Sequence, residues 1–522
     1  MSEEVIKQEG TMNSEEWHPK RNPWLISAPL MLAVAMYALD ETISNVALTY
    51  MAGSFSCSHN EATWVLTFYL IASGIIIPAV DFLCKLFGRK NFFLMSVIIF
   101  TISSFLCGVA NSLIMMVLAR FLQGLGGGAI LPLCQSIMME SFPKEQRPQA
   151  MALFGLGVVF APIIGPALGG WITENWSWPY IYYINIPIGF IVLAMAKELL
   201  EEPPYAKKQK GVKFDAIGFA FLAVWLVLLQ IVLDKGNDAD WFGSAWVCWM
   251  TGISCVSGIL FLISQFTRKN TLVDLSIMKN RNFFFGTLIQ VVLMGVMMAS
   301  SAILPSMLQN MMGYTSFLSG ISMVPRGAGC LAATIFSALF ITKIGERKMV
   351  TMGIIILAIG GLAFGEINLQ ISLANIAFPN FLFGLGMIMA MVPLVELSCR
   401  TLRNDQLTNA SGVQNLLKNV GAAIGTSLVT TCISRFAQIH QYMMVGKLSE
   451  LNSAFTERLQ AYTSTFIGST DLASATYAAK GLLYNQLIQQ STLWAYIDTF
   501  RLFAVACIFV IPMISFMKRK NI

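Results

Sequence analysis

The feature that most constrains this chain is the recurrence of long apolar segments. Each is about as long as the roughly 20 residues that a helix needs to cross about 30 Å of hydrocarbon. Of the 522 residues, 56% are hydrophobic and only 12% are charged, whereas soluble domains carry about 25% charge. The chain is therefore predicted to be an all-α integral membrane protein. The fourteen predicted transmembrane segments lie near 25–48, 62–84, 92–110, 113–139, 149–171, 180–199, 214–233, 243–266, 283–305, 318–342, 349–365, 372–397, 409–433 and 499–516.

Basic residues are distributed unevenly between the loops. If the N-terminus is cytoplasmic, the short loops outside hold Lys235 and no other basic residue. Lys and Arg are enriched in cytoplasmic loops, so this bias predicts that both termini are cytoplasmic and that the number of spans is even. The inside loops and the tail then contain Lys85, Arg89, Lys90, Lys144, Arg147, Lys207, Lys208, Lys210, Arg268, Lys269, Lys279, Arg281, Lys343, Arg347, Lys348, Arg400, Arg403, Lys518, Arg519 and Lys520.

Several classes of function find no support in the sequence. The net charge of +6 is explained by the loops, so no nucleic-acid partner is expected. The ten cysteines lie mostly within apolar runs and form no Cys-x-x-Cys pair, which indicates neither a disulfide framework nor a metal site. A phosphate-binding loop of the Gly-x-x-x-x-Gly-Lys-Ser/Thr type is absent, so ATP-driven transport by this chain is not expected. No catalytic residue and no cofactor are predicted.

Two adjacent acids, Asp40 and Glu41, lie in the first apolar segment. An ionisable group at membrane depth costs about 2.5–3.5 kcal/mol and by default indicates a functional site. Counted from the outer ends of their helices, Asp40 lies at a depth of ~12 Å and Arg120 at ~10 Å. Burial and a nearby cation act oppositely on an acid, so such a site can exchange protons near neutral pH. Asp40, Arg120 and secondarily Glu41 are therefore proton-coupling candidates, with Glu41 about 100° around the helix, facing another span or the outer vestibule.

Other polar residues fall within the predicted spans and are candidates for lining a substrate cavity. Hydrogen bonding to backbone carbonyls is an alternative for those in the second half of the chain, and Glu396 could instead extend to the lipid headgroups. Asp40 could likewise be a structural acid that is permanently paired with a base. The cavity candidates are Asn45, Gln123, Arg326, Glu396, Gln414, Asn415 and Lys418.

Glycine and proline cluster in two of the spans. The run that begins at Gly124 has the spacing of a dinucleotide-binding loop, but it lacks a preceding strand, so close packing of membrane helices is favoured. The segment 161–170 contains two prolines and three glycines and is predicted to bend or to pack closely. The residues predicted to serve packing or conformational change are Gly88, Arg89, Gly124, Pro162, Gly165, Pro166, Gly169 and Gly170.

These patterns together resemble the major facilitator superfamily. The stretch from Asp40 to Leu48 is similar to the first-span motif of its fourteen-span drug/proton antiporters, the EmrB/QacA family. The long connection 434–497 before the last span resembles the EmrB branch. Similar motifs follow in order along nearly the whole chain, at Phe87-Gly88-Arg89-Lys90, Arg120 with Gln123 and Gly124, Gly165-Pro166 with Gly169-Gly170, Ile184-Asn185-Ile186-Pro187-Ile188-Gly189, Leu233-Asp234 with Gly236, Val273-Asp274-Leu275, Gly313-Tyr314-Thr315 and Gly421-Ala422-Ala423-Ile424-Gly425-Thr426.

The resemblance implies a fold of two six-helix bundles with two extra central spans, moving about a central cavity by alternating access. It implies a cytoplasmic tail 1–24, a first bundle 25–199, two inserted helices with their loops in 200–282 and a second bundle 283–522. The implied activity is export of hydrophobic, amphipathic or cationic drugs and toxic compounds across the bacterial inner membrane, driven by proton entry. The EmrB branch further implies a periplasmic membrane-fusion adaptor and an outer-membrane channel as partners.

The sequence departs from the family pattern, and other functions remain open. Asp81 and Lys85 stand where that pattern has Gly and Asp, and Thr49 stands where it has proline. The same fold could serve as a dedicated proton-coupled transporter of one physiological solute. A non-transporting scaffold that uses the outside loop 434–497 is a third hypothesis. Helical spacing of apolar residues in that loop predicts an amphipathic helix on the membrane or on a partner, or a loop folded onto its own spans.

Overall fold

The structure is a computed structural model. It describes residues 19–143, 146–203, 215–267, 274–449, 451–467 and 471–517, and these contain helices and no strand. Thirteen of the described helices are long and apolar enough to cross a membrane. The remaining predicted span, 149–171, falls within a further helix of 29 residues, Arg147–Asn175, of which some side chains lie outside the description. The prediction of an all-α membrane fold is confirmed.

The long helices are numbered α1 to α14 in chain order. The α2 helix contains a short 3₁₀ turn at Ile77–Ala79. A shorter helix, Ser453–Phe466, lies between the last two and is called the connecting helix. The long helices are α1 Pro23–Ser54, α2 Trp64–Phe87, α3 Arg89–Gly108, α4 Leu113–Ser141, α5 Arg147–Asn175, α6 Asn185–Leu199, α7 Ala216–Lys235, α8 Ala245–Thr267, α9 Arg281–Met312, α10 Val324–Ile344, α11 Glu346–Ala363, α12 Leu373–Cys399, α13 Leu407–Val445 and α14 Leu472–Ser515.

Two groups of six helices show the same packing pattern. In the first group, α1 packs on α5, and α4 packs on α2 and α3. In the second group, α9 packs on α13, and α12 packs on α10 and α11. Each fifth helix, α5 or α13, also contacts the second helix of the other group. The two halves are therefore related by a pseudo-twofold arrangement of the kind found in transporters with internal repeats.

The remaining helices, α7 and α8, pack on each other and touch both groups through α7. Beside α2, the hydroxyl of Thr67 donates to Oδ2 of Asp234 at 2.8 Å. Beside α13, the indole N–H of Trp241 donates to Oγ1 of Thr431 at 3.1 Å. The inserted pair thus bridges the two groups on one side of the molecule.

The last two long helices extend beyond the ends predicted from hydropathy. The α13 helix has 39 residues and continues past 433 to Val445. The α14 helix has 44 residues and begins at Leu472, well before 499. At about 1.5 Å per residue they are roughly 58 and 66 Å long, about twice the hydrocarbon thickness. The segment 434–497 is therefore largely a helical projection, in which α14 packs on both α13 and the connecting helix.

Candidate functional site

Asp40 lies at the centre of a buried polar cluster between α1, α4 and α6. Its Oδ2 accepts a hydrogen bond from Nη1 of Arg120 at 2.6 Å. Its Oδ1 accepts from Nε2 of Gln123 at 2.9 Å and from Nδ2 of Asn185 at 2.8 Å. The exposed fraction of Asp40 is 1% and that of Arg120 is 0%. The two residues for which the sequence predicted similar depth are thus in direct contact, sealed from solvent.

The guanidinium group of Arg120 is held by more than its carboxylate partner. Its Nε donates to the carbonyl oxygen of Val65 at 3.3 Å, and Nη1 also donates to Oε1 of Gln123 at 2.8 Å. The guanidinium carbon lies 4.2 Å from the centre of the Tyr69 ring and 5.5 Å from that of Tyr182, within the range of cation–π attraction. The cluster therefore links α1, α2, α4 and the chain just before α6.

Asn185 is a member of this cluster that sequence reasoning did not assign to the site. Besides Asp40, its amide donates to Oγ of Ser104 on α3 at 2.9 Å. Its position within a family-like motif and its polarity inside an apolar run were the available signals. Gln123, predicted as a cavity residue, also donates to Ser104, at 3.2 Å. The structure places both amides around Asp40, and neither lines the central cavity.

A central cavity of about 240 Å³ lies between the two groups of six helices. Its wall is mainly apolar and rich in methionine, whose unbranched and polarisable side chain suits an adaptable binding surface. The inserted helix α7 also contributes to the wall, through Leu226, Leu229 and Gln230. The methionines of the wall are Met151, Met294, Met297, Met298, Met387 and Met391.

Glu41 faces this cavity, although its neighbour Asp40 does not. Adjacent residues of a helix point about 100° apart, so one acid enters the cluster and the other reaches the cavity wall. Lys418 and Asn415 of α13 line the same cavity from the second group of helices. The amide of Asn415 also donates to Oε1 of Gln135 on α4 at 2.9 Å.

Arg326 and Glu396, which were also predicted to line the cavity, lie away from its wall. Arg326 is buried in the second group, where Nε donates to Oδ1 of Asn380 at 3.2 Å and Nη1 donates to Oγ of Ser301 at 2.8 Å. Glu396 lies close enough to Glu346 and Arg400 for electrostatic interaction, and because it is only 5% exposed it does not extend outward. The side chain of Asn45 lies outside the described residues.

Hydrogen bonds join the two groups of helices at the end of the molecule that carries Arg89, Arg147 and Arg400, called the basic end. Nε2 of Gln135 donates to Oε1 of Gln414 at 2.9 Å, so Gln414 serves this junction. Nη2 of Arg147 donates to Oδ1 of Asn404 at 2.9 Å. Two hydroxyls, on Ser136 and Thr408, also meet at 2.9 Å. The groups are therefore held together at the basic end.

The turns between the second and third helices of each group have matching backbone geometry. Gly88 and Gly345 both have φ of +86°, a conformation that favours glycine. After Gly88, the buried side chain of Arg89 forms an ion pair with Glu140 at the end of α4. After Gly345, Glu346 pairs with Arg400 at 2.9 Å, beyond the end of α12. The two halves thus carry ion pairs of opposite polarity at equivalent places.

The predicted packing glycines lie where helices approach closely. A Cβ on Gly124 would lie 2.4 Å from the carbonyl oxygen of Tyr69 on α2. On α5, a Cβ on Gly165 would lie 2.2 Å from Oγ1 of Thr42, and one on Gly169 would lie 2.6 Å from Cγ1 of Ile43. Larger residues would push these helices apart. Gly170 is buried as well, and the side chains of Pro162 and Pro166 lie outside the described residues.

Comparison with known proteins agrees with this architecture. Residues 30–426 match the family described as the Major Facilitator Superfamily. The chain is 32% identical to the probable multidrug resistance protein EmrY of Escherichia coli K12 over 501 residues, which cover 95% of both chains. It is also 32% identical to the multidrug export protein EmrB of the same strain, covering 89% of this chain and 90% of that protein.

Solved structures support the same fold at much lower identity. The human organic anion transporter MFSD10 (TETRAN) superimposes with a TM-score of 0.58 and 11% identity, covering 95% of this chain and 100% of that one. At such identity the likeness concerns the fold alone. The family match, the near-full-length similarity to EmrY and EmrB and the paired six-helix groups lead to one conclusion: the chain belongs to the major facilitator superfamily and is an EmrB-like transporter of that family.

Proposed function

We propose that this protein exports hydrophobic, amphipathic or cationic toxic compounds by proton-driven antiport across the bacterial inner membrane, with both termini in the cytoplasm. The observation that carries the proposal is the central cavity, which has an apolar wall and an acid, Glu41, on its surface next to the buried Asp40 cluster. An antiporter needs proton and substrate to compete for one group or one conformation. An apolar cavity with an acidic group on its wall can bind a lipophilic substrate and a proton at the same place, so the two compete.

The two adjacent acids have different roles in this proposal. Glu41 is the group that a proton entering the cavity reaches first, because it faces the cavity. Asp40 is bound by three side chains and becomes available to protons only when α1, α4 and α6 shift relative to one another. The polar cluster around Asp40 therefore couples proton binding to a change in helix packing, as alternating access requires.

Transport into inside-out vesicles tests this function. Acidifying the vesicle lumen should drive accumulation of several chemically different lipophilic dyes. Asp40→Asn and Glu41→Gln should each abolish the proton-driven component while the protein remains inserted in the membrane. Glu61→Gln is the matched control, since Glu61 is an exposed acid outside the membrane-spanning helices. Full proton-driven export in the Asp40→Asn variant would refute the role of the cluster, and transport of only one solute would favour a dedicated transporter.

The helical projection of α13, α14 and the connecting helix supports a further part of the proposal. Its apolar side chains are strongly exposed, with Tyr442 at 86%, Leu451 at 98% and Tyr477 at 81%. We propose that this projection binds a periplasmic membrane-fusion adaptor, which in turn meets an outer-membrane channel. Photo-crosslinking residues placed at these three positions should capture the adaptor encoded by the host. Lack of a crosslink from every exposed position of 434–497 would refute the docking.

A further inference from the structure

The central cavity presents one acid and one base from opposite halves of the protein. Among the described residues that line it, Glu41 on α1 is the acid and Lys418 on α13 is the base. The first belongs to the six helices α1–α6 and the second to α9–α14. Any ligand that fills the cavity therefore meets an acidic side chain on one wall and a basic side chain on the other.

Neither Glu41 nor Lys418 makes a hydrogen bond or an ion pair among the described residues, although Arg120 acts on Glu41 electrostatically from a greater distance. The other intramembrane bases differ in this respect. Arg120 is paired with Asp40 at 2.6 Å, and Arg326 donates hydrogen bonds to the side chains around it, including Ser301 at 2.8 Å. A charge in an apolar environment is costly unless it is paired and hydrogen-bonded. A ligand that carries both charges would supply the missing partner of each group.

The remaining wall is suited to the apolar part of such a ligand. Methionines and aliphatic side chains dominate it, and Gln230, Asn415 and Asn419 add a few amides. Binding pockets for small molecules commonly combine an apolar wall with a few polar groups that fix orientation. The arrangement thus provides two ionisable anchors and an adaptable surface between them.

We propose that the cavity binds zwitterionic amphiphiles, with the cationic group of the ligand at Glu41, its anionic group at Lys418 and its alkyl or aromatic body against the methionines. This inference rests on the proposed function and specifies its substrate class. The cationic group and a proton compete for the same carboxylate, so binding releases a proton from Glu41. The anionic group anchors the ligand without taking part in that exchange.

Three amphiphiles that share an octyl chain separate the contributions of the two charges. These are an octyl dimethylglycine betaine, octyltrimethylammonium and octanoate. Binding to purified protein in nanodiscs is measured by displacement of a fluorescent lipophilic dye. The betaine should bind about tenfold more tightly than either singly charged compound, the gain expected from a second charge-assisted contact. Betaine binding should also release protons into a weakly buffered solution.

Substitutions assign each contact. Lys418→Gln should weaken betaine binding about tenfold, to the level of octyltrimethylammonium, and Lys418→Arg should retain the preference for the betaine. Glu41→Gln should weaken betaine binding to the level of octanoate and abolish proton release. Lys447→Gln removes one positive charge at an exposed site just beyond the end of α13 and should change neither betaine affinity nor proton release. Circular dichroism and gel filtration establish that each variant is folded.

The outcomes distinguish this inference from the function on which it rests. Equal affinity for the three amphiphiles in a wild-type protein that exports lipophilic dyes refutes the zwitterion site and leaves the exporter intact. Unchanged betaine affinity in Lys418→Gln refutes the anionic contact. Absence of dye export under any proton gradient refutes the proposed function itself.

Discussion

Replacing Asp40 with Asn removes the carboxylate charge that neutralises Arg120 while preserving the shape of the side chain. Both side chains are 0% exposed, so the guanidinium would be left as a buried charge without a counterion. Breaking one partner of a buried ion pair costs about 3–5 kcal/mol. We expect the free energy of unfolding to fall by that amount, and Arg120→Gln should have a similar effect because it leaves Asp40 unpaired.

The double variant Asp40→Asn/Arg120→Gln removes both charges and should therefore be more stable than the sum of the two single losses predicts. The expected coupling is about 2 kcal/mol or more, since the groups are in direct contact. Reversible unfolding of purified protein in increasing SDS, followed by loss of helical circular dichroism, measures it. The pair of Asp81 with Lys85 at 2.6 Å, in which the Lys85 side chain is 47% exposed and the Asp81 side chain 14%, provides the control, because Asp81→Asn should cost only about 0.3–0.5 kcal/mol. Strict additivity of the single variants, or an Asp40 effect no larger than that of Asp81, would refute the reasoning.

Three further perturbations follow from the packing, the junction and a helix cap. Gly165→Ala places a Cβ against Thr42 and should destabilise the fold by about 1–3 kcal/mol in the same SDS assay. Gln135→Ala breaks the junction at the basic end, so spin labels on the two helix groups there should show a larger population at long distance. Hydrogen bonds that Ser474 donates lower the pKa of Asp471. Its cap on α14 is thus present above the ordinary aspartate pKa of about 4 and lost as pH falls through the lowered value, which hydrogen exchange at the start of α14 should detect.

Two of these have matched control variants. Gly252→Ala should be tolerated, because a Cβ there has no atom within 4 Å, and equal effects at positions 165 and 252 would contradict the packing argument. Thr42 lies beside Gly165, so Thr42→Ala should partly restore the Gly165→Ala variant. Asp471→Asn keeps a cap that does not titrate, and an unchanged pH profile in that variant would exclude the carboxylate as its cause. Unchanged label distances in Gln135→Ala would show that the other junction contacts suffice.

The membrane fold could be predicted from the sequence because insertion depends on local composition. About 20 apolar residues in a row are long enough to cross the bilayer wherever they occur in the chain. The order of the family motifs identified the superfamily. Counting residues also predicted that Asp40 and Arg120 lie at similar depth, since the rise per residue fixes the depth of a side chain along a straight helix. The ends of α13 and α14 could not be predicted in this way, because outside the bilayer those helices are stabilised by packing on each other and not by hydrocarbon.

The sequence by itself determined that two acids lie side by side in the first span, and that they cannot share a face. Only the tertiary structure decided which of them is hydrogen-bonded in the buried cluster and which faces the cavity, because what a side chain contacts depends on the helices packed around it. Asn185 donates a hydrogen bond to Asp40, which lies 145 residues earlier in the chain. Lys418, from the other half of the chain, lines the same cavity as Glu41. Such long-range neighbours are set by how the helices pack, and no local pattern in the sequence records them.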